Sequence, residues 1–325
     1  MFESAEGLQM AVRTAHFASS VGLFGEFVFF LLIAGPFEKR RLLSASGHAA
    51  PRQRLLMVAA AWVFVVIASG ALWFDIEAAA MSGLSLGGTL NRETLGLVLT
   101  QTLFGQVWML RLCLALILIA ALVAARLRVP GHSWIVFGTC VVLAGAMLAT
   151  LAWAGHANAE KGTDRLVHRT VDVLHLLAAG AWLGALAPLA AILSRSGQGE
   201  DVEALDASAH AAKRFSTLGI ICVSTLAATG IVNAWYTVGN VSALIETYYG
   251  RLLLLKLCLF AFMIALAAFN RSRLTPMLRA TTASTIERAS AALRLRRNAA
   301  IEAASGFAIL GVVGVLGIAM PAMHR

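Results

Sequence analysis

A histidine, an aspartate and a second histidine follow at helical spacing in the run His168-Arg-Thr-Val-Asp172-Val-Leu-His175. On a helix turning about 100° per residue, these i,i+4 and i,i+3 steps put all three side chains on one stripe, within roughly 60° of arc. Imidazole is the commonest protein ligand for metals, and a carboxylate either ligates directly or fixes the histidine tautomer from behind. Metal binding is therefore the chemistry this triplet suggests. The plainer alternative is that His168 sits at an interface with water and His175 hydrogen-bonds between helices.

Further donors fall at a compatible depth. His16 lies about two turns into the first apolar run, Gly155-His156-Ala-Asn closes the fourth, and the last run ends Met320-Pro-Ala-Met323-His324. The candidate ligand set is thus His16, His156, His168, Asp172, His175, Met320, Met323 and His324. Thioether with imidazole suits Cu(I); imidazole alone serves Cu(II), zinc or haem iron. Taken alone, Met320 and Met323 read equally as packing residues. His48, His132 and His210 fall in basic connections and read as solvated. Cys113, Cys140, Cys222 and Cys258 are scattered through apolar runs with no close pair, so neither a disulfide framework nor a paired-cysteine metal site is indicated. Glu26, Arg13, Arg111 and Lys256 also lie in apolar runs, where they pair, line a path or reach for the interface. No phosphate loop, nucleophile elbow or dinucleotide fingerprint is present. With nothing resembling an energy-coupling domain, any flux is expected to run down a gradient.

The elements that carry these residues must be membrane helices. With 59% hydrophobic residues, 13% charged and a mean hydropathy of +0.79, the chain has too little polar surface to coat a soluble globule. A bilayer core about 30 Å thick asks for about 20 apolar residues per helix. Such runs recur near Leu8–Ala34, Leu55–Ala80, Val107–Ala125, Ser133–Gly155, Leu166–Leu193, Phe215–Val238, Arg251–Phe269 and Asn298–Met320. They are apolar all round rather than alternating, which excludes barrel strands. The expected fold is an all-α, polytopic membrane bundle of about eight transmembrane helices. The net charge of +9 is no nucleic-acid footprint, because the basic residues gather in the connections between apolar runs. Of the 26 Lys and Arg, 17 fall in the odd-numbered connections. By the positive-inside rule, those connections face the cytoplasm and both termini the periplasm. Glu3 and Glu6 stand where a cleaved signal would be basic, so no such signal is expected.

The two halves resemble each other. Thr102-Leu-Phe-Gly105 with Arg111-Leu-Cys113 matches Thr247-Tyr-Tyr-Gly250 with Lys256-Leu-Cys258 at a constant offset. Ser69-Gly70 with Trp73 roughly matches Thr229-Gly230 with Trp235, and His16, Gly22 and Gly25 echo His175, Gly180 and Gly184. Four helices per unit predicts two parallel repeats, residues 1–160 and 161–325, related by an axis along the membrane normal. Compositional likeness between Leu- and Ala-rich helices is the competing explanation. Gly180 and Gly184 form a small-residue face that admits a close neighbour.

Several stretches resemble the copper resistance protein D (CopD) family of bacterial inner-membrane proteins. They are Gly155-His156-Ala, the run from Asp172 through His175, Trp182 and Gly184 to Pro188, Arg214-Phe-Ser216, Thr229-Gly230-Ile-Val-Asn233-Ala-Trp235, Tyr249-Gly250-Arg251 with Lys256, and Asn270-Arg-Ser-Arg273-Leu-Thr-Pro276. The likeness is specific from about residue 150 to 325 and looser before it. It implies copper homeostasis in the inner membrane, with copper moving from periplasm to cytoplasm, and a periplasmic copper carrier of the CopC type as partner. Copper ions are then the ligand or substrate and the lipid bilayer the surroundings; a homo-oligomer is compatible with the sequence. On this reading the chain is no enzyme, and its histidines form a periplasm-facing site where copper is taken in. The alternative is a haem-binding or metal-dependent transmembrane oxidoreductase, because histidines on different helices of a bundle also hold haem.

Overall fold

The computed structural model describes residues 2–35, 50–127, 133–154, 162–197, 201–280 and 282–319, and among these no strand occurs. α1 (Phe2–Val28) runs into a π-helical turn at Phe29–Ala34, followed by α2 (Ala50–Ser82). A short α3 (Arg92–Gln101) leads into α4 (Leu103–Leu127), then α5 (Ser133–Ala149), which tightens to a 3-10 turn at Thr150–Ala154. The second half holds α6 (Gly162–Leu183), α7 (Leu186–Leu193), α8 (Val202–Thr237), a short α9 (Val241–Glu246) and α10 (Tyr248–Phe269). A π-turn at Asn270–Leu274 then gives way to α11 (Thr275–Arg279) and α12 (Thr285–Leu316). Eight stretches of the described residues are long and apolar enough to cross a membrane, as expected.

The expected boundaries fall short by ten or more residues at the basic end of three spans, the seventh running on through the π-turn and α11 to Arg279. α8 begins at Val202 rather than near Phe215, and α12 at Thr285 rather than near Asn298. Each start is capped: the Asp201 carboxylate accepts from Glu203 and Ala204 N–H, and Ser284 with Glu287 forms a reciprocal capping box. The polar extensions pack on one another, Arg288 reaching Asp206 at 2.5 Å and the Leu278 carbonyl at 3.0 Å. Hydropathy detects contact with lipid, not helix continuity, so these extensions are invisible to it.

α1 is the most enclosed of the eight spans and packs along α2, α5, α6 and α12. Its crossing with α6 is a backbone contact. A Cβ on Gly184 would stand 2.1 Å from the Val21 carbonyl oxygen, and one on Gly25 would stand 2.3 Å from Gly184 Cα. No side chain fits there, which is the close approach the small-residue face allows. The joints of α3 with α4 and of α9 with α10 are also built alike. Thr102 Oγ1 donates to the Val98 carbonyl and accepts from Gly105 N–H; Thr247 Oγ1 does the same with Ala243 and Gly250. The start of α1 and the end of α12 lie together, Arg13 resting against Gly317. This end, which carries the histidines of α1 and α6, is the histidine end; the opposite one, with the helical extensions, is the basic end.

Candidate functional site

α6 brings His168, Asp172 and His175 to the side that packs along α8. On α8, Thr229, Asn233 and Tyr236 recur at helical spacing, so each residue of the α6 triplet meets its own partner. The buried His168 ring stacks on Tyr236 with centroids 4.6 Å apart and planes within 10°. Asp172 Oδ1 accepts from Asn233 Nδ2 at 3.3 Å, and its carboxylate lies within electrostatic reach of His168 and of Lys256 on α10. His175 Nδ1 is 2.9 Å from Thr229 Oγ1.

The hydrogen-bond network around that last contact assigns a tautomer. A hydroxyl has one proton, and Thr229 Oγ1 already donates it to the Thr225 carbonyl at 2.6 Å. Thr229 Oγ1 therefore accepts, His175 Nδ1 carries the proton, and Nε2 keeps its lone pair. This is the arrangement in which an outer partner orients a histidine for a metal. Asp172 and His175 are both half-buried.

The first half repeats this construction with opposite charge. His16 Nδ1 is 3.0 Å from Ser69 Oγ, whose proton goes to the Val65 carbonyl at 2.6 Å, so the same tautomer results. Glycine follows both hydroxyl residues, Gly70 and Gly230, and sits against the imidazole Cε1 in each case. The offset that carries His16 onto His175 carries Arg13 onto Asp172 and Gln9 onto His168. The offset that carries Ser69 onto Thr229 pairs Trp73 with Asn233, not with Trp235: Trp73 is buried and Trp235 exposed. Lys256 in reach of His175 is matched by Arg111 in reach of His16. The first-half environment is thus doubly cationic. The Arg13 and Arg111 guanidinium carbons lie 4.7 and 5.6 Å from the Trp73 ring centroid. Arg111 donates to the Thr150 hydroxyl and carbonyl at 2.8 and 2.9 Å. Glu77, which takes hydrogen bonds from Gln9 and Trp73, lies within electrostatic reach of Arg13. His16 is only 4% exposed.

Among the described residues, no three His, Cys, Asp or Glu side chains stand close enough to hold a metal by themselves. His156, Met320, Met323 and His324 lie outside the described residues, as do His48 and His132. Sequence reasoning found the α6 triplet and missed its α8 partners as a site. The signal was there: Thr229, Asn233 and Tyr236 form a polar stripe at the same spacing as the triplet.

Two family comparisons cover most of the chain. Residues 209–316 match the family described as copper resistance protein D, and residues 4–166 match the copper resistance protein D-like N-terminal domain. The first half, where the resemblance in sequence is looser, is thus matched in its own right. Copper resistance protein D of Pseudomonas syringae pv. tomato is 34% identical over 320 residues, covering 98% of this chain and 98% of that protein. Inner membrane protein YebZ of Escherichia coli (strain K12) is 30% identical over 280 residues, 83% of this chain and 85% of that one. Copper transport protein CutJ of Bacillus subtilis (strain 168) is 26% identical over 199 residues, 61% of this chain and 36% of that protein. No solved structure matches the chain.

Proposed function

The chain belongs to the copper resistance protein D family, and from that premise we propose that it carries copper from the periplasm to the cytoplasm through a metal site in its second half. Membership makes it a multi-pass inner-membrane protein of copper homeostasis. The basic end is read as cytoplasmic from its surplus of Lys and Arg, which puts the histidine end in the periplasm. A periplasmic copper carrier of the CopC type would deliver the ion there.

One observation carries the site: the Thr229 hydroxyl holds His175 in the tautomer whose Nε2 is free, one turn from the Asp172 carboxylate. His168 and Asp172 complete the part of the site on α6. The remaining donors are assigned to His156 and His324 and to Met320 and Met323, whose thioethers suit Cu(I). His16 is left out of the ligand set. Arg13 stands where the second half has Asp172, and two guanidinium groups beside a buried imidazole repel a metal cation. We read the first-half site as a structural counterpart that already contains its own cation.

The test is copper uptake into proteoliposomes together with Cu(I) binding by the purified protein. His175→Ala is expected to lose both, while the protein still elutes as a folded species. Unchanged binding and uptake in that variant would remove His175 from the site. Binding that survives while uptake is lost in the parent protein as well would make the chain a copper holder rather than a permease.

A further inference from the structure

A second polar cluster lies toward the basic end and is untouched by the copper site. A cavity of about 220 Å³ opens between α7, α8, α10 and α12. Most of its wall is apolar, with Trp182, Phe215, Val223 and Ile264 among the lining residues. Glu302 of α12 projects into it from a position 1% exposed. Its Oε1 accepts from Asn270 Nδ2 at 2.7 Å, and Asn270 Oδ1 in turn accepts from Asn298 Nδ2 at 2.7 Å. Both amides point their donors along one chain that ends on the carboxylate. Among the described residues, Glu302 Oε2 accepts no hydrogen bond, and the indole N–H of Trp182 on the same wall donates none. A native interior leaves few such groups unpaired, and each asks for a reason.

Asn270 opens the π-turn that ends α10, a distortion that often accompanies functional sites. Beside it, Arg271 is exposed, donates to Ser216 Oγ at 2.8 Å, and lines the same cavity, which therefore reaches the basic end. Among the described residues, Arg271 is the one other charged group on the cavity wall. The other charges on the described elements packed against α12 do not line it, among them Arg13 and Glu26 of α1, Asp206, His210, Lys213 and Arg214 of α8, Arg251 and Lys256 of α10, Arg273 of the π-turn, Arg279 of α11 and Arg195 after α7. From α7 itself no titratable side chain faces Glu302.

The ligand class follows from the donors. A hard metal cation takes about six or more oxygens, and this wall offers one uncommitted carboxylate oxygen and the hydroxyls of Ser216, Ser224 and Thr275. A soft metal takes sulfur or imidazole, and none lines the cavity. A proton needs a single lone pair. The space admits water, which can accept from Trp182 and donate to Glu302. We propose that Glu302 is a proton-binding site, loaded and unloaded from the basic end through this cavity. Intramembrane carboxylates commonly mark such relays. The site stands apart from the copper-binding reading and does not depend on it.

The probe is dicyclohexylcarbodiimide, an apolar reagent that modifies protonated carboxyl groups and suits an apolar cavity. The full-length protein is reconstituted in oriented proteoliposomes, with lumen and bath pH set independently, and modified peptides are located by mass spectrometry. The expected result is modification at Glu302 that falls as pH is raised on the basic-end side alone, is indifferent to Na⁺ and K⁺, and is lost in Glu302→Gln. Peptide mapping of the parent protein decides the matter even where that variant fails to fold. Absence of modification at Glu302 in the folded parent protein overturns the proposal. So does suppression by Na⁺ or K⁺ at constant pH, which would make the cavity a metal-cation site, and so does control by the pH of the histidine-end side.

Discussion

Replacing Thr229 by Val keeps the shape of the side chain and removes the oxygen that receives the His175 Nδ1 proton at 2.9 Å. The fold loses one hydrogen bond between α6 and α8, about 0.5–1.5 kcal/mol. The hydroxyl's own bond to the Thr225 carbonyl disappears with its donor, and that carbonyl keeps its place in the helix. The metal site loses more. Without Thr229, the imidazole is free to rotate and to place its proton on Nε2, and loss of such an outer partner typically weakens metal binding 10–100-fold. That range is about 1.4–2.7 kcal/mol. The assay is competition for Cu(I) against a chromophoric chelator at fixed pH, with Thr229→Ser as the variant that restores an oxygen. Nitrogen-15 shifts of His175 report its tautomer independently. The first half supplies the control, because Ser69→Ala breaks the same bond to His16 at 3.0 Å. It is expected to leave copper affinity unchanged. Thr229→Val binding copper within about twofold of the parent, while folded, refutes the idea that the tautomer is fixed for metal. A Ser69→Ala variant that weakens copper as much as Thr229→Val refutes the division of labour between the halves.

Other outcomes follow from the same geometry. Asp172→Asn keeps the contact with Asn233 and removes the charge, so Cu(I) affinity measured by the same competition should fall by about tenfold or more. His16→Leu should leave that affinity intact and lower thermal stability in detergent by about 0.5–1.5 kcal/mol, the loss of one hydrogen bond, since the Ser69 hydroxyl still donates to the Val65 carbonyl. Gly184→Val should force α1 and α6 apart, since even a Cβ would stand 2.1 Å from the Val21 carbonyl oxygen. A loss of at least about 1–3 kcal/mol is expected in thermal melts, and Gly25→Val should not add to it fully because both strike one crossing.

How much of this was legible in the sequence depends on the force involved. Lipid selects apolar runs strongly, so eight spans, the Gly180–Gly184 face and the α6 stripe could all be read directly. The helical extensions at Val202 and Thr285 could not, because they are held by caps and by the Arg288–Asp206 contact rather than by lipid. The site was half visible. Spacing along α6 gave His168, Asp172 and His175, but which residue of α8 each meets depends on how the two helices are rotated against each other. The charge reversal at Arg13 was present in the sequence and went unread. Only when His16–Ser69 and His175–Thr229 are seen as the same contact does the exchange of Arg13 for Asp172 gain a meaning. Glu302 was hidden for another reason: a single acid among alanines has no period, and its importance lies in the cavity beside it.

The contact between Arg13 and Gly317 has a consequence for biosynthesis. α1 carries a guanidinium group that rests on Trp73 of α2, in reach of Glu77, and also against Gly317 at the end of α12. Some 300 residues separate the two positions, and at about 5–20 residues per second their synthesis takes roughly 15–60 s. For that interval α1 lacks its contact with α12, and Arg13 has only its partners on α2. The packing of α1 is therefore completed only once α12 has been made and inserted.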